Sequence, residues 1–207
     1  MERMLDTTDP VVRNILDVAF AEFANFGLQG TRIESIAAKT STSKRMIYYH
    51  FGSKENLYAE VLEHSYRLVR QGTVLPALSA MPPLEALAAY AGNAFDNFSR
   101  CPDFIRLVVQ ENIQGARFIR QSQAIAEMNR ITFELLKDIV DRGQLDGSIR
   151  KEVTPINVYT NFIGLCHYNV SSRNSYLALF DYDLTLPDNA TSRREAICDS
   201  VVRYARA

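Results

Sequence analysis

Apolar residues recur at intervals of three and four along nearly the whole chain, and convincing strand alternation is absent. Asp9-Pro10 reads as an N-cap followed by proline at the first helical position. From there Ile15, Val18, Ala19, Phe23 and Phe26 mark one helical face, and Gly27 supplies a stop. Thr31 and Glu34 have the T-x-x-E spacing of a capping box, so a second helix is expected to open at Thr31, with Ile33, Ile36 and Ala37 on its core side. "TSTS", Thr40 to Ser43, is a polar turn of residues that favour caps over helix interiors. The pattern predicts a third helix over 43–50, closed at Phe51-Gly52, and a fourth capped by Ser53 and running through Leu57, Val61, Leu62 and Leu68.

Beyond Gly72, Pro76, Pro82 and Pro83 punctuate a linker and begin a helix with a stripe of Leu84, Leu87, Ala91, Ala94, Phe95 and Phe98. Cys101-Pro102 breaks it, and Asp103 is expected to cap a helix carrying Phe104, Leu107, Val108 and Ile113. An amphipathic run over 122–142 ends in "GQLDGS", and Thr154-Pro155 opens a helix through Tyr159, Phe162, Ile163 and Cys166. A short helix over 175–180, a loop, and a last helix over 194–206 with Ile197, Val201, Val202 and Ala205 complete an all-α chain.

Composition narrows the class only a little. At 207 residues, with 47% hydrophobic and 23% charged residues, the chain has the make-up of an ordinary globular protein with a sizeable core. No apolar run reaches the roughly 18–20 residues that cross a bilayer, and "MERMLDTTDP" is too acidic and broken for a secretory signal. The expected location is therefore cytoplasmic. Cys101, Cys166 and Cys198 are scattered and lack metal-ligand spacing; they read as small buried thiols, with a redox switch as the alternative. No cofactor or metal is expected, because the chain has no P-loop, GxGxxG, HExxH or GxSxG pattern, and its histidines, His50, His64 and His167, have no readable partners.

Net charge is −1, yet from Lys39 to Lys54 there are four basic residues and no acidic one. A local basic patch suffices for phosphate contacts, since counterion release depends on the charges at the interface. In "STSKRMIYYHFGSKENLY", Ile47 and Phe51 lie four apart and are expected to pack inward, which turns Lys44 and Arg45 outward at the start of the third helix. Two short helices joined by a tight turn and propped on a longer first one make a helix-turn-helix, whose second helix enters the major groove. Arg45 could hold guanine O6 and N7 in a bidentate manner. Lys54 stands at a helix N-terminus, where N–H groups already favour phosphate.

These residues resemble a known family. "GTRIESIAAKTSTSKRMIYYHFGSKENLY" is similar to the N-terminal domain of the TetR family of bacterial transcriptional repressors. Thr31 and Ile36-Ala37 match its T-x-x-x-x-I-A element. Ser43, Ile47-Tyr48, His50-Phe51 and Ser53-Lys54-Glu55-x-Leu57 follow its S-x-x-x-I-Y-x-H-F-x-S-K-E-x-L pattern. The turn departs from that pattern, carrying Ser41 and Thr42 where Gly and Val are usual, which places a β-carbon where positive φ is expected. The resemblance implies that Tyr48 touches the DNA backbone; Tyr49 offers its ring either to a thymine methyl or to the neighbouring helix, and His50 to packing or a phosphate. The candidate DNA contacts are Thr31, Arg32, Thr42, Ser43, Lys44, Arg45, Tyr48, Tyr49, His50 and Lys54.

The same resemblance implies a DNA-binding domain over 1–54 and a larger helical ligand-binding and dimerisation domain over 55–207. Stripes on Ile156, Tyr159, Ile163 and Cys166, and on Ile197, Val201 and Val202, fit either half of a four-helix dimer interface or the chain's own core. Phe95, Phe98, Phe104, Val108, Met128 and Phe162 are candidate pocket walls. Glu111, Asn112, Gln114, Asn161, His167 and Asn169 are its polar candidates, with Cys166 beside them. "FIGLCHYNVSSRNSYLALF" loosely resembles the C-terminal half of the branch that includes regulators of pyrimidine catabolism. The reading is a homodimeric, ligand-responsive regulator that represses from a palindromic double-stranded DNA operator and is released by a small molecule. Its alternatives are an activator or repressor without an inducer, an enzyme, and a helical module with a protein partner.

Overall fold

The structure is a computed structural model that describes residues 9–71 and 75–207, apart from the side chains at 75 and 76. Residues 1–8, read above as unlike a secretory signal, and Gly72 of the expected linker lie outside the described residues. The helices are α1 (Pro10–Gly30), α2 (Ile33–Lys39), α3 (Lys44–Phe51), α4 (Lys54–Arg70), α5 (Leu75–Leu78), α6 (Pro83–Arg100), α7 (Pro102–Ile113), α8 (Arg117–Gln121), α9 (Gln123–Asp146), α10 (Pro155–Ser171), α11 (Arg173–Phe180) and α12 (Pro187–Ala205). Among the described residues the only β-pairing is an isolated antiparallel bridge between Ile149 and Arg206. The chain is all-α. Contacts group Met1–Leu68 with Arg106–Ala126 in one compact unit, and Val69–Ile105 with Glu127–Ala207 in a second.

In the first unit, Asp9 caps α1 by accepting the Val11 N–H at 2.8 Å, and Pro10 takes the first helical position. Val12, Ile15, Leu16, Ala19, Phe20 and Phe23 form the buried stripe of α1, joined by Ile36 of α2, Ile47 of α3 and Leu57, Val61 and Leu62 of α4. Phe23 meets Tyr58 edge-on, with centroids 5.0 Å apart. Gly27 does interrupt α1, at φ 67° and ψ 176°, but the helical turn resumes as far as Gly30.

That interruption also overturns the expected capping box. The Thr31 hydroxyl donates to the Gly27 and Glu22 carbonyls, at 2.8 and 3.2 Å, satisfying acceptors left at the end of α1. Helix α2 therefore begins two residues later, after Arg32, with no side-chain cap.

In the second unit, Ala86, Leu87, Tyr90, Ala91, Phe95 and Phe98 of α6 pack with Val158, Phe162 and Cys166 of α10 and Ile197, Val201 and Ala205 of α12. Thr154 accepts the Asn157 N–H at 3.4 Å, and Pro155 follows as the first residue of α10, as the pattern predicts. The last helix starts at Pro187, seven residues before its expected start at 194. "PDNATSR" has too few apolar residues to show a helical period, and proline at the first position with Asp188 in the first turn supplies the start instead. Asp103 lies inside the first turn of α7, because Pro102 is already helical. The short helix α8 had no counterpart in the pattern.

Candidate functional site

Helix α3 is set by three local features. The Ser43 hydroxyl accepts the Met46 N–H at 3.2 Å, Gly52 closes the helix at φ 76°, and Ser53 then accepts the Asn56 N–H at 3.0 Å to cap α4. Ile47 and Phe51, 1% and 5% exposed, hold α3 to the core of its unit. The opposite face carries Lys44, Arg45, Tyr48 and Tyr49, and the two tyrosines are 41% and 56% exposed. Large aromatic surface left bare on a basic helix is suited to backbone and base contacts.

The expected DNA contacts fall into two groups. Lys44, Arg45, Tyr48 and Tyr49 share the exposed face of α3, with Ser43 at its cap and Thr42 half-buried in the turn. Arg32 is exposed ahead of α2, His50 is half-buried, and its ring lies edge-on to Tyr49 at 5.3 Å. Thr31 is buried and hydrogen-bonded to α1, while Lys54 donates to the Thr31 carbonyl at 3.1 Å. Both are tied into the scaffold behind the helix. The turn needs no glycine: among the described residues, the non-glycine residues at positive φ are Ala116 and Asp181, so Ser41 keeps an ordinary backbone.

Charge pairing divides the basic patch. Lys39 donates to the buried Glu22 at 2.6 Å and so ties α2 to α1. Lys44 pairs with Glu34 of α2 and lies 5.9 Å from the Tyr48 ring centroid. The hydrogen bond holds the Glu34 carboxyl below its ordinary range and raises the Lys44 ammonium. Among the described residues Arg45 has no acidic partner, which leaves its guanidinium available to phosphate or a base. The Glu34–Lys44 pair was not legible in the sequence, because residues ten apart on different helices share no periodic signal.

The effector candidates are distributed over the two units. In the second, Phe98 stacks on Phe104 with centroids 5.6 Å apart and meets His167 edge-on at 5.2 Å; Phe95, Phe162 and Cys166 are buried and Met128 is half-buried. Burial pushes the Cys166 thiol up to about 12 and lowers the His167 imidazole. Asn169 is buried, and neither atom of its amide has a partner. In the first unit, Val108 is buried, and buried Glu111 accepts from Tyr58 at 3.1 Å and from the Phe118 N–H at 2.6 Å. Asn112 is on the surface, donating to the Val108 carbonyl at 2.8 Å within α7.

The expected interface stripes also divide. Ile156 is exposed and Ile163 and Val202 half-buried, but Ile197 and Val201 are each 1% exposed and face their own core. The Tyr159 ring lies against Phe133 and Phe162, at 6.0 and 5.5 Å. The outward groove between α10 and α12, about 400 Å³, is lined by Thr160, Asn161, Gly164, Leu165, Ser200 and Val201. Small and polar residues hid it from a search for apolar stripes.

Two family profiles match this arrangement. "Bacterial regulatory proteins, tetR family" covers residues 15–61, the segment that builds the helix-turn-helix, and "Tetracyclin repressor-like, C-terminal domain" covers 83–201. The chain belongs to the TetR family.

As a TetR-family protein it is a transcriptional regulator with an N-terminal helix-turn-helix, and not an enzyme. It is 32% identical to the HTH-type transcriptional repressor NicS of Pseudomonas putida over 171 residues, 83% of this chain and 81% of that one. Among solved structures, a putative transcriptional regulator SCO4942 from Streptomyces coelicolor superposes with a TM-score of 0.69, at 26% identity over 94% of this chain and 98% of that one. FadR from Bacillus subtilis, solved in complex with stearoyl-CoA, shares the fold at a TM-score of 0.64 and 17% identity, over 93% of this chain and 98% of that one. Among the described residues no helix is long and apolar enough to cross a membrane.

Proposed function

We propose that this chain is a cytoplasmic, homodimeric repressor that binds a palindromic operator and is released by a small molecule. Residues 1–54 carry the DNA contacts in this reading, and 55–207 the effector and dimer functions. The supporting observation is the division of α3 into a buried face, Ile47 and Phe51, and an exposed face, Lys44, Arg45, Tyr48 and Tyr49. One helix of eight residues reads few base pairs, so two-fold assembly is the economical way to a selective site. The outward groove between α10 and α12 is the surface for self-association, with Ile156 at the exposed start of α10.

An effector that favours one spacing of the two recognition helices would weaken DNA binding, and DNA would weaken effector binding by the same factor. The test is binding to DNA from beside the protein's own gene, titrated against salt, with Arg45→Ala and Tyr48→Ala alongside. Selective binding that falls steeply with salt and is weakened in both variants supports the reading. Absence of selective binding, in these fragments and in a genome-wide selection, would overturn it.

A further inference from the structure

Between Glu22 and Glu55 the chain has a single acidic residue, Glu34. It stands in the first turn of α2, and its Oε1 accepts a hydrogen bond from the ammonium of Lys44, the first residue of α3. The pair joins the two helices of the helix-turn-helix at the point where the second one opens. Both groups face solvent, with 62% of the Glu34 side chain and 51% of the Lys44 side chain exposed. The Tyr48 ring, one turn along α3, has its centroid 5.9 Å from the same ammonium. Lys44 is thus held between a carboxylate and an aromatic face.

Stability gives little reason for this pair. Exposed ion pairs contribute little to folding, and an acid in a first helical turn favours the helix dipole whether or not a lysine meets it. For DNA affinity the carboxylate is a cost, because the first helix of such a motif crosses the phosphate backbone. What Glu34 adds is an acceptor. Lys44 and Arg45 can only donate, whereas an ionised carboxylate can only accept. Lys44 has N–H donors to spare, and Glu34 Oε2 has no side-chain donor among the described residues.

In the major groove guanine shows two adjacent acceptors, N7 and O6, and its cytosine partner then shows a donor, N4–H. An ammonium beside a carboxylate is the complement of that order. An A·T pair instead alternates acceptor, donor, acceptor, and ends on a thymine methyl that would face the carboxylate.

We propose that Glu34 and Lys44 act as one reading unit for a G·C base pair, with Lys44 donating to guanine and Glu34 accepting the cytosine N4–H. This deepens the operator reading above and rests on it. The charge of Glu34 lowers affinity for every duplex and the acceptor restores it at one base pair, which is how an acid on a basic surface produces discrimination.

Selection of the full chain on a randomised duplex library, followed by competition against single-base-pair variants of the selected site, tests this. Each preference is a ratio at one salt concentration, so a general rise in affinity on losing a negative charge cancels. Each half of the wild-type site should contain a G·C pair preferred about fivefold or more over the other pairs. Glu34→Ala and Lys44→Ala should both relax that position to about twofold or less, and the double variant should relax it no further. Arg45→Ala should leave it and relax a different position. Should alanine disturb the start of α2, Glu34→Gln, which keeps the side-chain length but can donate as well as accept, should relax the same position.

Unchanged preferences in the Glu34 variants, relaxation at an A·T pair, or relaxation at a position that Lys44→Ala leaves alone would overturn the assignment. With selective wild-type binding intact, those results remove the base-pair reading and keep the regulator. Absence of selective wild-type binding removes both.

Discussion

The hydroxyl of Tyr58, on α4, donates at 3.1 Å to the buried carboxylate of Glu111, on α7. The other carboxylate oxygen accepts the backbone N–H groups of Phe118 and Ile119, at 2.6 and 3.3 Å, at the start of α8. Burial first, and then the neighbouring negative charge, pushes the Tyr58 phenol well above its ordinary range. One acidic side chain thus joins three helices of the first unit.

Truncating that side chain strands several donors at once. Glu111→Ala is expected to lower unfolding free energy by about 1–3 kcal/mol, the cost of leaving buried polar groups unpaired. Tyr58→Phe, which removes one donor and keeps the ring against Phe23, should cost less. Urea unfolding of the two variants checks the order, and equal losses would show that Glu111 matters to Tyr58 alone.

Gly27 holds φ 67° and ψ 176°, a region essentially reserved for glycine, and an added Cβ would lie 2.6 Å from Gln110 Oε1. The same Gln110 amide donates to the Ala24 carbonyl at 2.8 Å, so the side chain is already committed. Gly27→Ala should destabilise the protein by about 1–3 kcal/mol. An unchanged melting temperature would mean that α1 can straighten through this point without loss.

Glu34 neutralises Lys44 on the exposed face proposed to meet DNA. Glu34→Gln removes a negative charge there and releases the ammonium, so affinity for DNA at low salt should rise by about two- to tenfold. Competition between labelled and unlabelled DNA would measure it. Weaker binding in the variant would instead assign Glu34 the task of orienting Lys44.

Burial alone lowers the His167 imidazole below its ordinary value of 6.5. A base depressed in the folded state binds fewer protons there than in the unfolded chain. Its contribution is therefore fully present above pH 6.5 and is lost as pH falls through the lower folded value. The melting temperature should drop on acidification through this window, and His167→Gln should flatten that part of the profile. A wild-type slope equal to the variant's would remove His167 as its source.

What could be read directly were the local signals. Thr154-Pro155 opens α10, Gly52 ends α3, and Ile47 and Phe51 turn inward, leaving Lys44 and Arg45 exposed at the start of α3. Each depends on neighbours within about one helical turn, so spacing alone decides it. The T-x-x-E signal at Thr31 failed because a competing acceptor was available: the α1 carbonyls freed by the Gly27 interruption. The start of α12 was hidden because an exposed helix end has no apolar stripe.

The chain by itself therefore determined the all-α class, the helix-turn-helix and the exposed face of its second helix. Only the tertiary structure decided which charges are spent on pairing, Lys39 with Glu22 and Lys44 with Glu34, and that Arg45 has no acidic partner among the described residues. It also placed Ile197 and Val201 in their own core and made Glu111 a junction between helices. Periodicity records which face of a helix is apolar, but not which distant helix that face meets. Pairing and burial of polar groups are long-range contacts, and they are settled only when the helices pack.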